Sequence, residues 1–268
     1  MKYFLDTEFV EGTQQRTFLG FKIGETKPTI DLISIGIVAE DGREYYAISK
    51  DFNLKEAWNR YQFRLDETTG ISSFKEYWLR ENVLYPIFAD LFQRDNPEIW
   101  AEDFGNMGNF MGNFERYGTG LSLFKDLLDI HGKTNKEIAE EVREFCTINE
   151  TRGRGIIDRI SPSIPDINRE IEFYAYYADY DWVVFCWLFG KMMDLQDGFP
   201  KYCKDLKQDF DFYNNNLLER IKQNAIPKSM FQLSSYKEHP DYPKQENEHS
   251  AIDDARWNKK LYEFLNTL

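Results

Sequence analysis

Apolar residues near the N-terminus fall into short runs of β-favouring side chains. Residues 2–9 begin with such a run, which predicts a buried strand. Residues 11–28 are rich in Gly, Thr and Gln and predict a loop. Two β-rich arms over 29–49 flank Asp41-Gly42, and this pattern predicts a hairpin with a tight turn.

Further along the chain, apolar residues recur at spacings of three and four, which predicts helices. These helices cover residues 54–60, 73–92, 135–146, 181–190 and 250–266. Gly190 is expected to cap the helix over 181–190, and residues 170–178 form a second internal strand. This order of elements, with no interdomain linker, predicts one α/β domain over 1–268 whose mixed sheet is covered by helices.

Two segments interrupt this regular pattern. Gly and Asn recur over 101–120, where "GNF" appears twice, and predict a long loop inside the domain. This loop is either a mobile insertion without a role, or an interface or lid formed by exposed Phe and Met side chains. Residues 234–248 form a second polar, Pro-containing loop.

Composition narrows the classes of function. The 268 residues include 33 Lys and Arg against 46 Asp and Glu, a net charge of −13. This charge argues against extended binding along a nucleic-acid backbone, but it is compatible with binding of a few nucleotides at one end of a strand. No apolar run is long enough to span a membrane, and no signal-peptide pattern is present, so no membrane partner is expected.

The three cysteines are scattered along the chain, at Cys146, Cys186 and Cys203. Their number is odd and their spacing does not match a zinc site, so they are interpreted as reduced thiols. This pattern indicates a cytoplasmic location.

Two carboxylates end the first strand. Asp6 and Glu8 are two residues apart, so in a strand they point to the same face. Unpaired carboxylates are costly to bury. The spacing therefore indicates either a surface turn that begins at Asp6 or a cation site.

A second acidic pair follows the strand over 170–178. Asp179 and Asp181 lie where this strand meets the next helix, and both could simply complement the helix N-terminus. Asp179 suits the N-cap position. Asp181 would then be free to point toward the strand end.

A third acidic segment opens the last helix. Ser250 and Asp253 match the S-x-x-D capping box, which gives Asp253 a structural role. Asp254 remains in the first turn, and His249 lies just outside the helix. Taken alone, His249 also fits a solvated loop histidine.

The three segments together indicate a metal site. Asp6, Glu8, Asp181 and Asp254 would repel one another if they met without a cation. Hard carboxylate ligands without thiolates favour Mg²⁺ or Mn²⁺, and two such ions can stabilise both the attacking and the leaving oxygen of a phosphoryl transfer. His249 could accept a proton from the attacking water, because imidazole is a common general base.

These motifs resemble the DEDDh family of 3′–5′ exonucleases, with "DTEF", "YYADYD" and "HSAIDDAR" as the three motifs. The sequence of these motifs is most similar to that of the mycobacterial-type 3′–5′ exoribonuclease domain. The likeness extends through "DLISIGIVAEDGREYYAIS", "WLRENVLYP" and "EFYAYYADYDWVVFCWLFG", and so covers the chain from end to end.

The resemblance implies a ribonuclease H-like fold, an α/β architecture with a mixed five-stranded sheet flanked by helices. It implies a metal-dependent exoribonuclease that releases nucleoside 5′-monophosphates from single-stranded RNA 3′ ends, using two Mg²⁺ or Mn²⁺ ions. The residues carried over are the metal ligands Asp6, Glu8, Asp181 and Asp254, and the general base His249. Phe9 follows the first motif where such enzymes contact the terminal nucleotide.

The chain departs from the family pattern in two places. Asp179 adds a charge beside the second motif, where the family usually has a small residue or Asn before the aromatic position. An insertion over about 88–132, of helix and loop, is absent from compact members and could cover the site, restrict substrate length or mediate assembly. Related domains often pair, so a homodimer is a further expectation from the resemblance.

Three alternatives remain open from the sequence. The same chemistry could act on DNA, because nothing in the motifs reads the 2′-hydroxyl. The chain could be a non-catalytic module that binds nucleic-acid ends, although all five catalytic positions are filled. It could also be an assembly protein whose role depends on residues 101–120.

Overall fold

The protein was analysed as a computed structural model that describes residues 1–19, 21–65, 73–147, 170–223 and 234–268. The strands in this part of the chain are β1 (Lys2–Gly12), β2 (Gln15–Phe18), β3 (Phe21–Glu25), β4 (Thr29–Ala39), β5 (Glu44–Ile48), β6 (Gln62–Leu65), β7 (Ser73–Glu76), β8 (Glu172–Ala175) and β9 (Lys204–Asp205).

The helices are α1 (Leu54–Asn59), α2 (Tyr85–Asp95), α3 (Pro97–Ile99), α4 (Met107–Tyr117), α5 (Gly120–His131), α6 (Asn135–Thr147), α7 (Ala178–Leu188), α8 (Leu206–Lys222) and α9 (Ala251–Leu265). A π-helical turn over Arg80–Leu84 precedes α2, and a second over Trp100–Phe104 follows α3. Short 3₁₀ turns occur at Met192–Asp194 and Tyr236–Glu238.

The contacts divide the described chain into two compact units. The first contains residues 1–7, 35–46 and 136–268, and the second contains 8–34 and 47–135. The prediction of a single exonuclease domain with an insertion over about 88–132 stays a prediction.

A five-stranded sheet in the order β5-β4-β1-β8-β9 organises the fold. β8 runs parallel to both β1 and β9, while β4 and β5 form the hairpin predicted around Asp41-Gly42. Its turn is closed by the amide of Ala39, which donates to the carbonyl of Arg43 at 2.8 Å, and Gly42 has a positive φ of 87°. The predicted α/β class, with a mixed sheet flanked by helices, is confirmed.

The core of the first unit forms where the sheet packs against α8 and α9. Its buried side chains are Phe4, Val38, Tyr174, Leu206, Phe210, Leu217, Tyr236, Ala255, Trp257, Leu261, Phe264 and Leu265. Helix α9 approaches β4 closely at Gly36, where an added Cβ would lie 2.2 Å from the carbonyl oxygen of Ala251. Glycine at this position therefore allows α9 to begin directly over the sheet.

The predicted loop over 101–120 is helical, and the sequence-based interpretation was wrong here. Phe110 and Phe114 are four residues apart in the "GNF" repeat, so in α4 they share one helix face. Phe110 is fully buried, and its ring centroid lies 4.9 Å from that of Phe88 and 4.7 Å from that of Phe114. Asn106 and Gly118 cap the two ends of α4 rather than breaking it.

This segment therefore contributes to the aromatic core of the second unit. Phe104, Phe110 and Met111 are buried, which contradicts their expected exposure, whereas Met107 is exposed. Deletion of 101–120 would remove part of that core and would not isolate an interface.

Two further expectations differ from the structure. The loop predicted over 11–28 contains the antiparallel ribbon β2–β3. The helix predicted over 73–92 begins only after residue 77, because residues 73–76 form β7, which pairs with β6. Both ribbons have only two strands, which is why their sequence signal is weak.

Within the part of the chain that the structure describes, no helix has the length and apolar character needed to cross a membrane.

Candidate active site

Strand β1 provides the first two acidic side chains. Tyr3, Phe4 and Leu5 are buried in the sheet, and β1 is its central strand. The period of two then places Asp6 and Glu8 on one face, and both are half-buried. The strand interior thus fixes the direction in which the two carboxylates point.

Helix α9 provides the third acidic side chain. Asp254 lies in the first turn of α9 and is 7% exposed. One turn later, the side-chain amide of Asn258 donates to the carbonyl of Leu5 at 2.9 Å, which fixes α9 to β1 immediately before Asp6. The register between the last helix and the first strand is therefore set beside the acidic residues.

Two donors hold the Asp254 carboxylate in place. The Gln245 side chain donates to Oδ1 at 2.6 Å, and the backbone amide of His249 donates to Oδ2 at 2.9 Å. Burial raises the pKa of Asp254 above its ordinary value, while these two hydrogen bonds act in the opposite direction. The oxygens are thus oriented, and their negative charge is only partly compensated.

Asp6, Glu8 and Asp254 form an acidic group. Each offers one carboxylate oxygen, and the three oxygens lie within 4.8 Å of one another. Carboxylates at this separation repel one another unless a cation or a proton intervenes. Because all three donors are hard oxygens, they fit Mg²⁺ or Mn²⁺.

Among the described residues, Asp181 is not part of this acidic group. It is instead hydrogen-bonded to Thr7 of the same strand, β1. The backbone amide and the hydroxyl of Thr7 donate to Oδ1 of Asp181 at 2.9 and 2.5 Å. Burial raises the pKa of Asp181 to about 7, and the charges of Asp205 and Asp254 add to this increase. The structure therefore holds a buried carboxylate next to β1, whose pKa is raised by burial and by neighbouring carboxylates.

Backbone strain occurs beside both helices that bear these residues. Tyr177 precedes α7 with a φ of 59°, and His249 lies just before α9 with a φ of 69°. Positive φ is uncommon for residues other than Gly and often occurs at functional sites. The backbone amide of His249 donates to the Asp254 carboxylate, and the His249 side chain is half-buried.

Several expected details differ. Helix α7 begins earlier than predicted, so Tyr177 is the N-cap and Asp179 is an exposed residue of the first turn. Ser250 is the N-cap of α9, but its side chain makes no capping hydrogen bond. Asp253 instead pairs with Arg256 at 2.5 Å, so its role is structural but does not come from a capping box.

The assigned roles of the predicted residues stay predictions. The structure brings Asp6, Glu8 and Asp254 together, holds Asp181 through Thr7, and places His249 beside Asp254. Phe9 follows Glu8 in β1 and is half-buried.

The sequence did not indicate three residues that hold or perturb the carboxylates. Thr7 lies inside "DTEF" but faces away from its neighbours, Gln245 lies in a polar loop, and Asp205 ends the two-residue strand β9. No local pattern marks any of them: Thr7 acts on Asp181 across 174 positions, and Gln245 acts on Asp254 from an irregular loop.

Comparison with known proteins places these features in a family. The family model for the 3′–5′ exoribonuclease Rv2179c-like domain matches residues 125–266, which include Asp181, His249 and Asp254. Two curated proteins of Mycobacterium tuberculosis are similar, the 3′–5′ exoribonuclease Rv2179c of strain H37Rv and the 3′–5′ exoribonuclease MT2234.1 of strain CDC 1551. Each is 26% identical over 208 residues, which cover 78% of this chain and 73% of the relative. With the model matching more than half of its length, the chain belongs to the Rv2179c-like 3′–5′ exoribonuclease domain family.

Proposed function

We propose that this protein is a metal-dependent 3′–5′ exoribonuclease of the DEDDh type. The observation that supports this most directly is the acidic group of Asp6, Glu8 and Asp254, whose oxygens lie within 4.8 Å of one another. Family membership supplies the class of reaction, and the names of the two relatives favour RNA over DNA.

The proposed ligands for two divalent ions, Mg²⁺ or Mn²⁺, are Asp6, Glu8, Asp181 and Asp254. When bound, the ions would supply positive charge that activates a water molecule and stabilises the departing 3′ oxygen. Asp254 is oriented for this role by Gln245. Asp181 is oriented by Thr7, and its raised pKa falls once a cation shares its environment.

His249 is the proposed general base. Its backbone amide donates a hydrogen bond to Asp254, which anchors the residue next to one of the proposed metal ligands. The imidazole would accept the proton of the attacking water as the last phosphodiester bond breaks, releasing a nucleoside 5′-monophosphate. Phe9 would contact the terminal nucleotide. Replacement of His249 by Ala should slow hydrolysis by about 10²–10⁴-fold and leave metal binding largely intact.

The proposed substrate is the 3′ end of single-stranded RNA, and the proposed setting is a cytoplasmic homodimer. The net charge of −13 is compatible with binding at one strand end, because few phosphates need to be neutralised there.

The test uses two 5′-labelled single strands of matching sequence, one RNA and one DNA. Each is incubated with protein and Mg²⁺, Mn²⁺ or a chelator. We expect the RNA to shorten from its 3′ end only when metal is present. Shortening of DNA alone would support the proposed hydrolytic mechanism but would contradict the proposed RNA substrate. Metal binding without shortening of either strand would favour a non-catalytic module that binds nucleic-acid ends.

A further inference from the structure

The ribbon formed by β6 and β7 exposes an unusual apolar face. Tyr61, Phe63 and Leu65 alternate with polar residues, so they lie on the same face of the ribbon. Phe63 and Leu65 are 65% and 67% exposed. In an antiparallel ribbon such a side would normally pack against a core. Contiguous apolar side chains exposed in this way mark an interaction surface.

A cation lies on the same face. Lys75 is the direct partner of Phe63 across the ribbon, and its ammonium lies 4.0 Å from the ring centroid of Tyr61. The rings of Tyr61 and Phe63 meet edge to face, with centroids 5.3 Å apart. We name this face, made of Tyr61, Phe63, Leu65 and Lys75, the aromatic face.

The acidic side chain of the ribbon lies on the opposite side. Glu76 pairs with Arg64 at 2.5 Å and accepts a hydrogen bond from Gln62. By register, Gln62, Arg64 and Glu76 share that opposite face with Phe74. Within the described residues of the ribbon, the aromatic face therefore has a cation and no carboxylate, although the chain as a whole has a net charge of −13.

We propose that the aromatic face binds unpaired bases of single-stranded RNA. Exposed rings beside a cation are the combination that single-strand binding proteins use, because every base has a face that can stack and every linkage has a phosphate. The aromatic–cation pair of Tyr61 and Lys75 is already formed, which reduces the ordering needed on binding. The proposal rests on the proposed exoribonuclease function and adds a second contact with the same class of substrate.

The experiment measures binding of a labelled single-stranded RNA of about 20 nucleotides by fluorescence anisotropy, with chelator present to prevent shortening. Phe63→Ala should weaken binding about tenfold, since stacked aromatic residues contribute by roughly this factor. Lys75→Gln should reduce the slope of log affinity against log salt concentration by about 0.7. Phe74→Ala is the matched control, because this exposed ring lies on the opposite face of the same ribbon. It should bind RNA as wild type does.

A second readout separates this proposal from the proposed function. With Mg²⁺, Phe63→Ala should cleave an RNA dinucleotide at the wild-type rate while its KM for the long strand rises. If wild type cleaves neither RNA, the exonuclease proposal fails, and the anisotropy measurement still decides the role of the aromatic face.

Three results would overturn the inference. The first is unchanged or absent RNA binding, with Phe63→Ala equal to wild type. The second is an equal loss of affinity in Phe74→Ala. The third is sedimentation showing that Phe63→Ala dissociates a dimer while RNA affinity stays the same, which would assign the face to a second copy of the chain.

Discussion

Replacement of Asp181 by Asn should stabilise the metal-free protein while abolishing its activity. The Asp181 carboxyl is buried, and its pKa is raised from 3.8 to about 7. A carboxyl whose pKa is raised in the folded state does not lower the free energy of unfolding at pH values below its unfolded-state pKa. The destabilisation grows as the pH rises toward the folded-state pKa and is constant above that pKa. Asn keeps an oxygen that can accept the hydrogen bonds of Thr7 but has no charge to bury.

The size of this effect follows from the shift in pKa. A rise of about three units at about 1.4 kcal/mol per unit corresponds to roughly 4 kcal/mol above pH 7. At pH 5 the cost is about 2 kcal/mol, because the carboxyl is then mostly protonated in the folded state. At about 2 °C per kcal/mol for a chain of this size, Asp181→Asn should raise the melting temperature by roughly 8 °C at pH 8.

The assay is thermal unfolding in chelator at pH 5 and pH 8, followed by the same scans with Mg²⁺. Addition of Mg²⁺ should stabilise wild type more than the variant, because a bound cation offsets the charge of Asp181. Asp179→Asn is the matched control, since Asp179 lies in the same helical turn but is exposed. Its melting temperature should change by about 1 °C or less. A variant Asp181→Asn that is less stable than wild type at pH 8, or equally affected at both pH values, would refute the reasoning.

Three further predictions concern neighbouring parts of the site. Thr7→Val should lower kcat about tenfold by releasing the Asp181 carboxylate, and Thr7→Ser should restore it; steady-state kinetics on RNA would show both. Gly36→Ala should destabilise the protein by about 3 kcal/mol in urea unfolding, because the new Cβ would meet the backbone of Ala251; wild-type stability would contradict this contact. His249→Ala should keep Mn²⁺ binding in calorimetry while hydrolysis slows, and a loss of Mn²⁺ binding would instead assign it a structural or ligand role.

Four strands of the sheet and the helices α1, α2, α6, α7 and α9 could be predicted because their signals are local, whereas α5, α8 and the two-residue strand β9 were not predicted. The tight turn at Asp41-Gly42 and the apolar period of the last helix both depend on residues close in sequence. The segment 101–120 was misread because Gly and Asn lower helix propensity, whereas the four-residue spacing of Phe110 and Phe114 favours a helix. Burial of Phe110 and its packing against Phe114 outweigh the propensity cost.

The acidic residues were found by a similar local rule. Strand alternation is sufficient to place Asp6 and Glu8 on one face. The residues that orient the carboxylates could not be found this way. Thr7 reaches Asp181 across 174 positions, and the contact of Asn258 with Leu5 spans 253 positions. Such contacts are set by tertiary packing, which one sequence without its structure does not specify.

Asp254 is proposed to hold a catalytic metal ion, and the adjacent Asp253 offers a direct comparison. Asp253 pairs with Arg256, while Asp254 belongs to the acidic group. The measurement combines Mn²⁺ binding, followed by electron paramagnetic resonance, with 3′ shortening of a 5′-labelled RNA. We predict that Asp254→Asn loses both Mn²⁺ binding and shortening, while Asp253→Asn retains both. Metal-dependent shortening by Asp254→Asn, or equal losses in the two variants, would contradict the account.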